Sequence, residues 1–245
     1  MLVRHIGAGL RQLQLSHFAT AVAPCPFCGP SVFVRLNGSE AGVRCLRCAS
    51  SPVHCAMGWA LRARIDDLAA LDVCELSARG PLVEYLRRHT RSLAVSEYFA
   101  DVESGTSREG VRCEDVQCLS YADASFDLMT HTEVLEHVPD DAQAFGELYR
   151  VLRSGGLMVF TVPLHGREQT IERARLRGGK IEYLLDPVYH ADPLRGGRNV
   201  LAFRDYGYDI LERLHAAGFP RAERVFCHGH IPWVRPRDVI VADKA

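Results

Sequence analysis

The sequence predicts an α/β fold, a doubly wound and mostly parallel sheet behind a small cysteine-bearing module. Three observations carry this expectation. Between residues 70 and 162 short apolar runs alternate with amphipathic helical stretches, the pattern of strands joined by crossover helices. Two Cys-x-x-Cys pairs, Cys25/Cys28 and Cys45/Cys48, stand ahead of that region. The chain has 245 residues, enough for a domain of about 180 residues and a small appendage.

Composition narrows the class. Hydrophobic residues make up 47% and charged residues 24%, which excludes a disordered or fibrous chain. The formal net charge of −1 leaves no global basic field for nucleic acid or membrane. Of nine cysteines, five fall between Cys25 and Cys55, whereas Cys74, Cys113, Cys118 and Cys227 are scattered. An odd, clustered set is not a secreted disulfide framework, and it points to a metal site with buried thiols in a reducing compartment. The start, Met1-Leu2-Val3-Arg4-His5, has no apolar core of a targeting segment, and runs such as Leu157–Phe160 fall far short of the ~20 residues that span a bilayer. A cytoplasmic protein without a membrane partner is expected.

Sixteen residues separate the two cysteine pairs. Ser31–Leu36 is rich in strand formers, Asn37-Gly38 is a strong short hairpin signal, and Gly42-Val43-Arg44 leads back to the second pair. Two such turns bring four thiolates to the corners of a tetrahedron, the pattern of a zinc ribbon. Four sulfurs close the coordination sphere, so the zinc is expected to be structural, with Cys25, Cys28, Cys45 and Cys48 as ligands. His54 and Cys55 are alternative ligands, and buried free thiols or a redox pair are the competing readings. Arg35, Arg44 and Arg47 make the module weakly basic, as an RNA contact or as an ordinary solvated face. Ser51–Arg64 reads as a helix linking the ribbon onward. Residues 1–65 are therefore expected to form ribbon and linking helix, and 66–245 the larger domain.

Within that domain, strands are expected at Leu71–Leu76, Leu93–Tyr98, Val111–Asp115, from Phe126, at Leu157–Val162, near Arg224–Cys227 and at Val239–Ala242. Helices are expected at Leu82–His89, opened by Pro81, at Asp140–Leu152, stopped by Gly155-Gly156, and at Tyr208–Ala217. Residues 163–206 are too long for a plain connection and contain a charged stretch, Glu168–Arg177, that reads as helical.

In doubly wound sheets ligands bind beyond the carboxyl ends of the strands. Glu75 and the turn Ser77–Gly80 stand at the first such end. Glu97 follows 22 positions after Glu75, where a carboxylate grips a ribose diol. The helix start at Pro81 suits a bound carboxylate, and Asp115 suits an exocyclic amine.

Four blocks follow one another between residues 111 and 162: Asp115–Leu128, Glu133-Val134-Leu135-Glu136-His137-Val138, Glu147–Gly156 and Phe160-Thr161-Val162-Pro163. In these blocks the chain resembles class I S-adenosylmethionine-dependent methyltransferases of the small-molecule type, and the resemblance extends over roughly residues 70–245. It implies a Rossmann-like, seven-stranded sheet and S-adenosylmethionine as cofactor. Glu97 would hold the ribose, Asp115 the adenine amino group, and Glu75, Ser77 and Gly80 the methionine end. Thr130–Glu133, with Thr132 among them, would line the sulfonium side. The family's first motif has glycine at three places that here hold Ser77, Arg79 and Pro81, with Gly80 offset by one.

The resemblance implies methyl transfer to an oxygen, nitrogen or carbon atom of a small molecule. Tyr183, Tyr189, Asp192 and Arg204 are candidate substrate contacts in the insertion. His190, then His137 and His165, are candidate general bases. For Glu136-His137 the competing reading is a cap for the helix starting near Asp140. Asp127 reads as structural, and Cys74, Cys113 and Cys118 as core. Cys227-His228-Gly229-His230 is a weak second metal cluster. Rival functions are an RNA base methyltransferase that uses the ribbon on RNA, and an interaction protein with a degenerate cofactor fold. A nicotinamide dehydrogenase would need the Gly-x-Gly-x-x-Gly turn that this sequence lacks.

Overall fold

The computed structural model describes residues 13–192, 198–227 and 231–245, and of residues 191, 192, 198 and 199 the backbone alone. The N-terminal module is a three-stranded antiparallel sheet, β1 (Ala19–Cys25), β2 (Gly29–Arg35) and β3 (Val43–Cys45), in the order β1-β2-β3. Cys25 pairs with Gly29 across a tight turn that carries Pro26, Phe27 and Cys28. Gly29 takes a φ of 73°, which closes this turn without a side-chain penalty. The β2–β3 connection is wider than an Asn-Gly hairpin: Arg35 pairs with Val43, and Asn37 Oδ1 accepts from Ser39 N at 2.9 Å inside the loop. The asparagine side chain thus builds a local turn of its own in place of a two-residue turn.

Helix α1 (Pro52–Arg64) follows. Ser51 and His54 form a capping box, and Pro52 occupies the first turn where no donor is lost. Next come β4 (Asp72–Glu75), α2 (Pro81–His89), β5 (Ser92–Val95), a small hairpin of β6 (Ser107–Arg108) and β7 (Val111–Arg112), β8 (Phe126–Thr132), α3 (Asp141–Val151) and β9 (Leu152–Thr161). The insertion holds β10 (Ile171–Glu172), β11 (Ala174–Arg177), β12 (Lys180–Tyr183), β13 (Val188–Asp192), β14 (Arg198–Ala202) and β15 (Arg204–Asp205). Helix α4 (Ile210–Ala216) and strands β16 (Arg221–Cys227) and β17 (Arg237–Asp243) complete the chain.

The central sheet is mixed, in the order β16-β17-β9-β8-β4-β5, with β5, β4, β8 and β9 parallel and β17 and β16 antiparallel. One face packs Phe145 and Leu148 of α3 and Ile210 and Leu214 of α4 against Met129, Met158 and Phe160. The other face packs Ala56, Met57, Ala60 and Leu61 of α1 with Leu82 and Leu86 of α2 against Val73, Leu128, Val159 and Val241. Helices on both faces are the doubly wound arrangement expected from the alternation. The helix that reads as a linker in sequence thus covers the larger sheet and joins its core.

Two expectations are corrected. Among the described residues the sheet has six strands, not seven. At the seventh position, beyond β5, stands only a parallel bridge between Glu97 and Cys113, because Glu109 and Gly110, both at positive φ, turn Val111–Arg112 back onto Ser107–Arg108. The stretch Glu168–Arg177 is not helical. Gly178 (φ 57°) and Gly179 (φ 74°) form a two-residue hairpin turn that pairs β11 with β12, and Arg175 bonds Glu182 across the ladder at 2.9 Å. The tight turn dictates strand pairing where charge composition alone suggested a helix. No described helix is long and apolar enough to cross a membrane.

The Pro26–Phe27 turn of the ribbon lies against α1. Arg62 Nε donates to Pro26 O at 2.7 Å, and a Cβ placed on Gly58 would lie 2.7 Å from Phe27 Cε1 and Pro26 Cγ. Gly58→Ala should therefore lower the melting temperature, although alanine is the better helix former. Gly146 in α3 has nothing within 4 Å of such a Cβ, so Gly146→Ala should raise stability by about 1 kcal/mol. Thermal melts of the two variants check both signs; stabilisation by Gly58→Ala would contradict the close contact.

Candidate functional site

The four ribbon cysteines converge. Their sulfurs lie within 4.8 Å of one another, with Cys25–Cys48 at 3.6 Å, Cys28–Cys45 at 3.5 Å and Cys28–Cys48 at 3.8 Å. Corners of a tetrahedron with Zn–S bonds of ~2.3 Å are about 3.8 Å apart, so the donor set fits a zinc ion. Burial and the neighbouring sulfurs push the Cys28 thiol up to about 12, and a bound cation would favour its thiolate instead. The two alternative ligands stand outside the mutual group of four. His54 closes the cap of α1, with Nδ1 2.7 Å from Ser51 Oγ, and Cys55 is buried with Sγ 3.4 Å from Ser50 Oγ. Arg35, Arg44 and Arg47 each donate to backbone carbonyls of the ribbon itself.

At the carboxyl edge of the central sheet, parallel pairing sets Glu75 of β4 beside Thr130 of β8. Thr130 Oγ1 donates to Glu75 Oε2. Glu75 is buried, and burial with the nearby Glu97 charge pushes its carboxyl up to about 8. The β4–α2 turn follows. Ser77 Oγ donates to Arg79 O at 3.1 Å, Gly80 takes a φ of 125° just before Pro81, and Glu97 Oε1 accepts Ala78 N at 3.0 Å. Glu97 thus braces the turn from the end of the neighbouring strand. Asp115 lies two residues beyond the Glu97–Cys113 bridge, where its Oδ1 accepts Gln117 N at 2.9 Å. Thr132 ends β8 at the same edge. Asp127, at the opposite end of β8, accepts Asp72 N at 2.8 Å and pairs with Arg153, a structural role.

A second polar cluster stands past β8. Glu133 has a φ of 55°, and the chain then enters a short 3-10 turn, Leu135–His137. Glu136 is 1% exposed, and neither carboxylate oxygen has a hydrogen-bond partner. His137 Nε2 stands 3.6 Å and His190 Nδ1 3.7 Å from Glu136 Oε1. The two imidazoles meet edge to face with centroids 4.9 Å apart. Burial and the Glu136 charge push Glu133 up to about 7, and Glu136 raises His190 above its usual range. Glu136 and His137 do not cap α3: Asp140 does, accepting Gln143 N at 3.0 Å. The sequence signal for this cluster was the Glu133-x-x-Glu136-His137 spacing, but not the burial that leaves Glu136 without donors.

The remaining sequence-stated candidates disperse. Arg204, expected at the acceptor, is 3% exposed and donates to the carbonyls of Leu135, Val138 and Pro139 at 3.1, 2.6 and 2.8 Å, so it pins the turn that carries Glu136 and His137. His165 stands apart from the cluster, 3.8 Å from Asp205. Tyr183 and Tyr189 are exposed, with hydroxyls 3.4 Å apart. The Asp192 side chain, His228 and His230 lie outside the described residues. Cys74 and Cys113 are buried, as expected of core thiols, whereas Cys118 is exposed.

Comparison with known proteins finds similarity over part of the chain. Residues 74–160 match the family described as "Methyltransferase domain". A ubiquinone biosynthesis O-methyltransferase of Paracidovorax citrulli is 31% identical over 155 residues, 58% of this chain and 64% of that protein. An uncharacterized protein in a Streptomyces fradiae transposon is 39% identical over 82 residues, 34% of this chain and 20% of that protein. The chain thus spans less than two thirds of the length of either relative. Among solved structures, a putative S-adenosylmethionine-dependent methyltransferase of Listeria monocytogenes is similar with a TM-score of 0.49, 15% identity, and coverage of 78% of this chain and 97% of that one. The 1,6-didemethyltoxoflavin-N1-methyltransferase of Burkholderia thailandensis is similar with a TM-score of 0.44, 18% identity, and coverage of 79% and 78%. The segment that matches the methyltransferase-domain family carries the second half of β4, all of β5 and β8, and most of β9.

Proposed function

We propose that the protein is an S-adenosylmethionine-dependent methyltransferase acting on a small molecule. The observation that carries this reading is the set of carboxylates Glu75 at the end of β4, Glu97 two residues past β5 and Asp115 two residues past the Glu97–Cys113 bridge, all within the segment that matches the methyltransferase domain. The small-molecule O-methyltransferase among its relatives supports the acceptor class.

The residues fit the cofactor. Glu97 would hold the ribose hydroxyls, Asp115 the adenine amino group, and the Glu75–Gly80 turn the methionine end. Gly80, at its positive φ, and Ser77 take over from the family's three glycines. When bound, S-adenosylmethionine supplies a methyl group made electrophilic by its sulfonium. The protein's own part is alignment and exclusion of water at the carboxyl edge, where Thr132 and the Glu133–His137 segment border the reacting side. The insertion at 163–206 contributes His190 to that side.

Residues 25–48 form, in this reading, a zinc ribbon with Cys25, Cys28, Cys45 and Cys48 as ligands. A closed four-sulfur sphere leaves no open position, so the metal stabilises and does not react. The RNA alternative draws little support, because the ribbon's three arginines are engaged with its own carbonyls.

Titration calorimetry with S-adenosylhomocysteine should show one site per chain, and Glu97→Ala should weaken it at least tenfold by removing both the diol acceptor and the brace on Ala78. No binding to the wild-type protein at millimolar ligand would overturn the reading. Native mass spectrometry should find one zinc per chain, lost in Cys28→Ser with a lower melting temperature; an unchanged melt without zinc would remove the metal from the account.

Glu75 makes stability pH-dependent. Its folded value of about 8 lies above the ordinary value of 4.5, so the native state keeps a proton that the unfolded chain releases. The contribution is full below pH 4.5 and is lost as pH rises toward 8. Glu75→Gln removes this loss, so its melting temperature relative to wild type should increase from pH 5 to pH 8. A difference that does not change with pH would refute the raised value.

A further inference from the structure

We propose that Glu136, His137 and His190 hold a divalent cation whose open positions bind the methyl-accepting oxygen of the substrate. The inference rests on the methyl-transfer reading for its second half only; the cation site stands on the geometry alone. It narrows the acceptor atom to oxygen.

Glu136 carries the argument. Its carboxylate is buried at 1% exposure, and both oxygens lack any hydrogen-bond donor. An ionised carboxylate is costly to bury without a partner, and partner removal from a buried charge is among the more destabilising changes known. Two imidazole nitrogens face Glu136 Oε1 at 3.6 and 3.7 Å. These distances are too long for hydrogen bonds. They match two ligands on one ion, since metal–nitrogen and metal–oxygen bonds of about 2.1 Å opened to ~120° set the donors ~3.6 Å apart. The three donor atoms lie within 4.8 Å of one another.

The histidines are arranged for ligation. His137 Nδ1 is 2.8 Å from Leu201 O, and a carbonyl only accepts, so Nδ1 carries a proton and Nε2 is the nitrogen that faces Glu136. A ligating histidine whose other nitrogen donates to a backbone carbonyl is the usual arrangement around protein-bound metals. Leu201 belongs to β14, the partner of the strand that carries His190, and Phe203 N donates to Glu136 O at 2.7 Å. The insertion therefore supplies one ligand and orients the other two. Arg204 locks the same turn from behind through three carbonyls.

One carboxylate and two imidazoles suit Mn2+, Fe2+, Co2+, Ni2+ or Zn2+, and three protein ligands leave positions open for substrate. A hydroxyl on one of them loses its proton to solvent at a lower pH than it would free in water, and two adjacent hydroxyls would fill two positions. The resulting oxygen anion forms the O–CH3 bond as the C–S bond of the sulfonium breaks, the electron pair staying on sulfur as a neutral thioether.

The test uses the full chain with its ribbon zinc in place. Mn2+ is the probe, because thiolates select zinc whereas oxygen and nitrogen donors accept manganese. Titration followed by the electron paramagnetic resonance of free Mn2+ should show one ion bound per chain at sub-millimolar concentration, with a melting temperature raised by several degrees. Glu136→Gln and His190→Ala should each weaken Mn2+ binding at least tenfold while S-adenosylhomocysteine binding, read by calorimetry, stays within about twofold. In metal-free protein Glu136→Gln should melt no lower than wild type, since it removes a buried carboxyl group whose oxygens have no hydrogen-bond donor. Two results would overturn the proposal: no Mn2+ bound at millimolar concentration with no Zn2+ beyond one equivalent, or undiminished Mn2+ binding in both variants. A failure of cofactor binding alone would count against the methyl-transfer reading and leave the manganese result to decide the cation site.

Discussion

Parallel pairing of β4 between β5 and β8 is the constraint on which the rest of the molecule depends. Parallel strands need crossover connections, and those crossovers deliver α2 to one face and α3 to the other. They also bring every carboxyl end to one edge. Glu75, Glu97, Thr132 and the Glu136 turn are far apart in sequence, yet they share that edge because each follows the end of a parallel strand. The register is specific enough to set Thr130 against Glu75, so a buried carboxyl receives its donor from the adjacent strand.

The ribbon is an accessory to this arrangement and is integrated with it. Its strands are too short to bury a large core, and a small core of Phe33, Val43 and the cysteines is what four crowded thiols organise. Docking proceeds through α1, whose glycine at position 58 lets the Pro26–Phe27 knuckle approach the helix backbone. The same helix lays Met57 and Leu61 on the central sheet, so the ribbon and the larger domain share one element.

The insertion between β9 and α4 shows how a segment with no long strand or helix acquires order. Its strand pairs are short, and Arg173 ties β10–β11 to Asp205 at 2.7 Å while Arg204 is buried against the carbonyls of the Leu135–Pro139 turn. A fully donating, planar guanidinium can satisfy three carbonyls that no helix or sheet serves. That role requires burial, which is why an arginine that looks available for a ligand in sequence is committed to holding the turn.

The sequence by itself determined the elements whose signal is local. Helix caps at Ser51 and Asp140, proline at the start of α2, the two cysteine pairs and the alternation of strands and helices are all written in neighbouring residues, because caps, turns and amphipathic periods act over a few positions. The positions of Glu75 and Glu97 were legible for the same reason, as residues at or just past the ends of β4 and β5. What only the tertiary structure decided is what depends on long-range burial. Val111–Asp115 folds back as a hairpin instead of becoming a seventh strand, Glu168–Arg177 is drawn into strands by a turn at Gly178-Gly179, and α1 joins the central core. Above all, Glu136 reads in sequence as a residue near a helix start. Its burial without a donor, facing His137 and His190 from a segment more than fifty positions away, exists only once the insertion folds over the end of the sheet, because desolvation is a property of everything packed around a group and not of its neighbours in the chain.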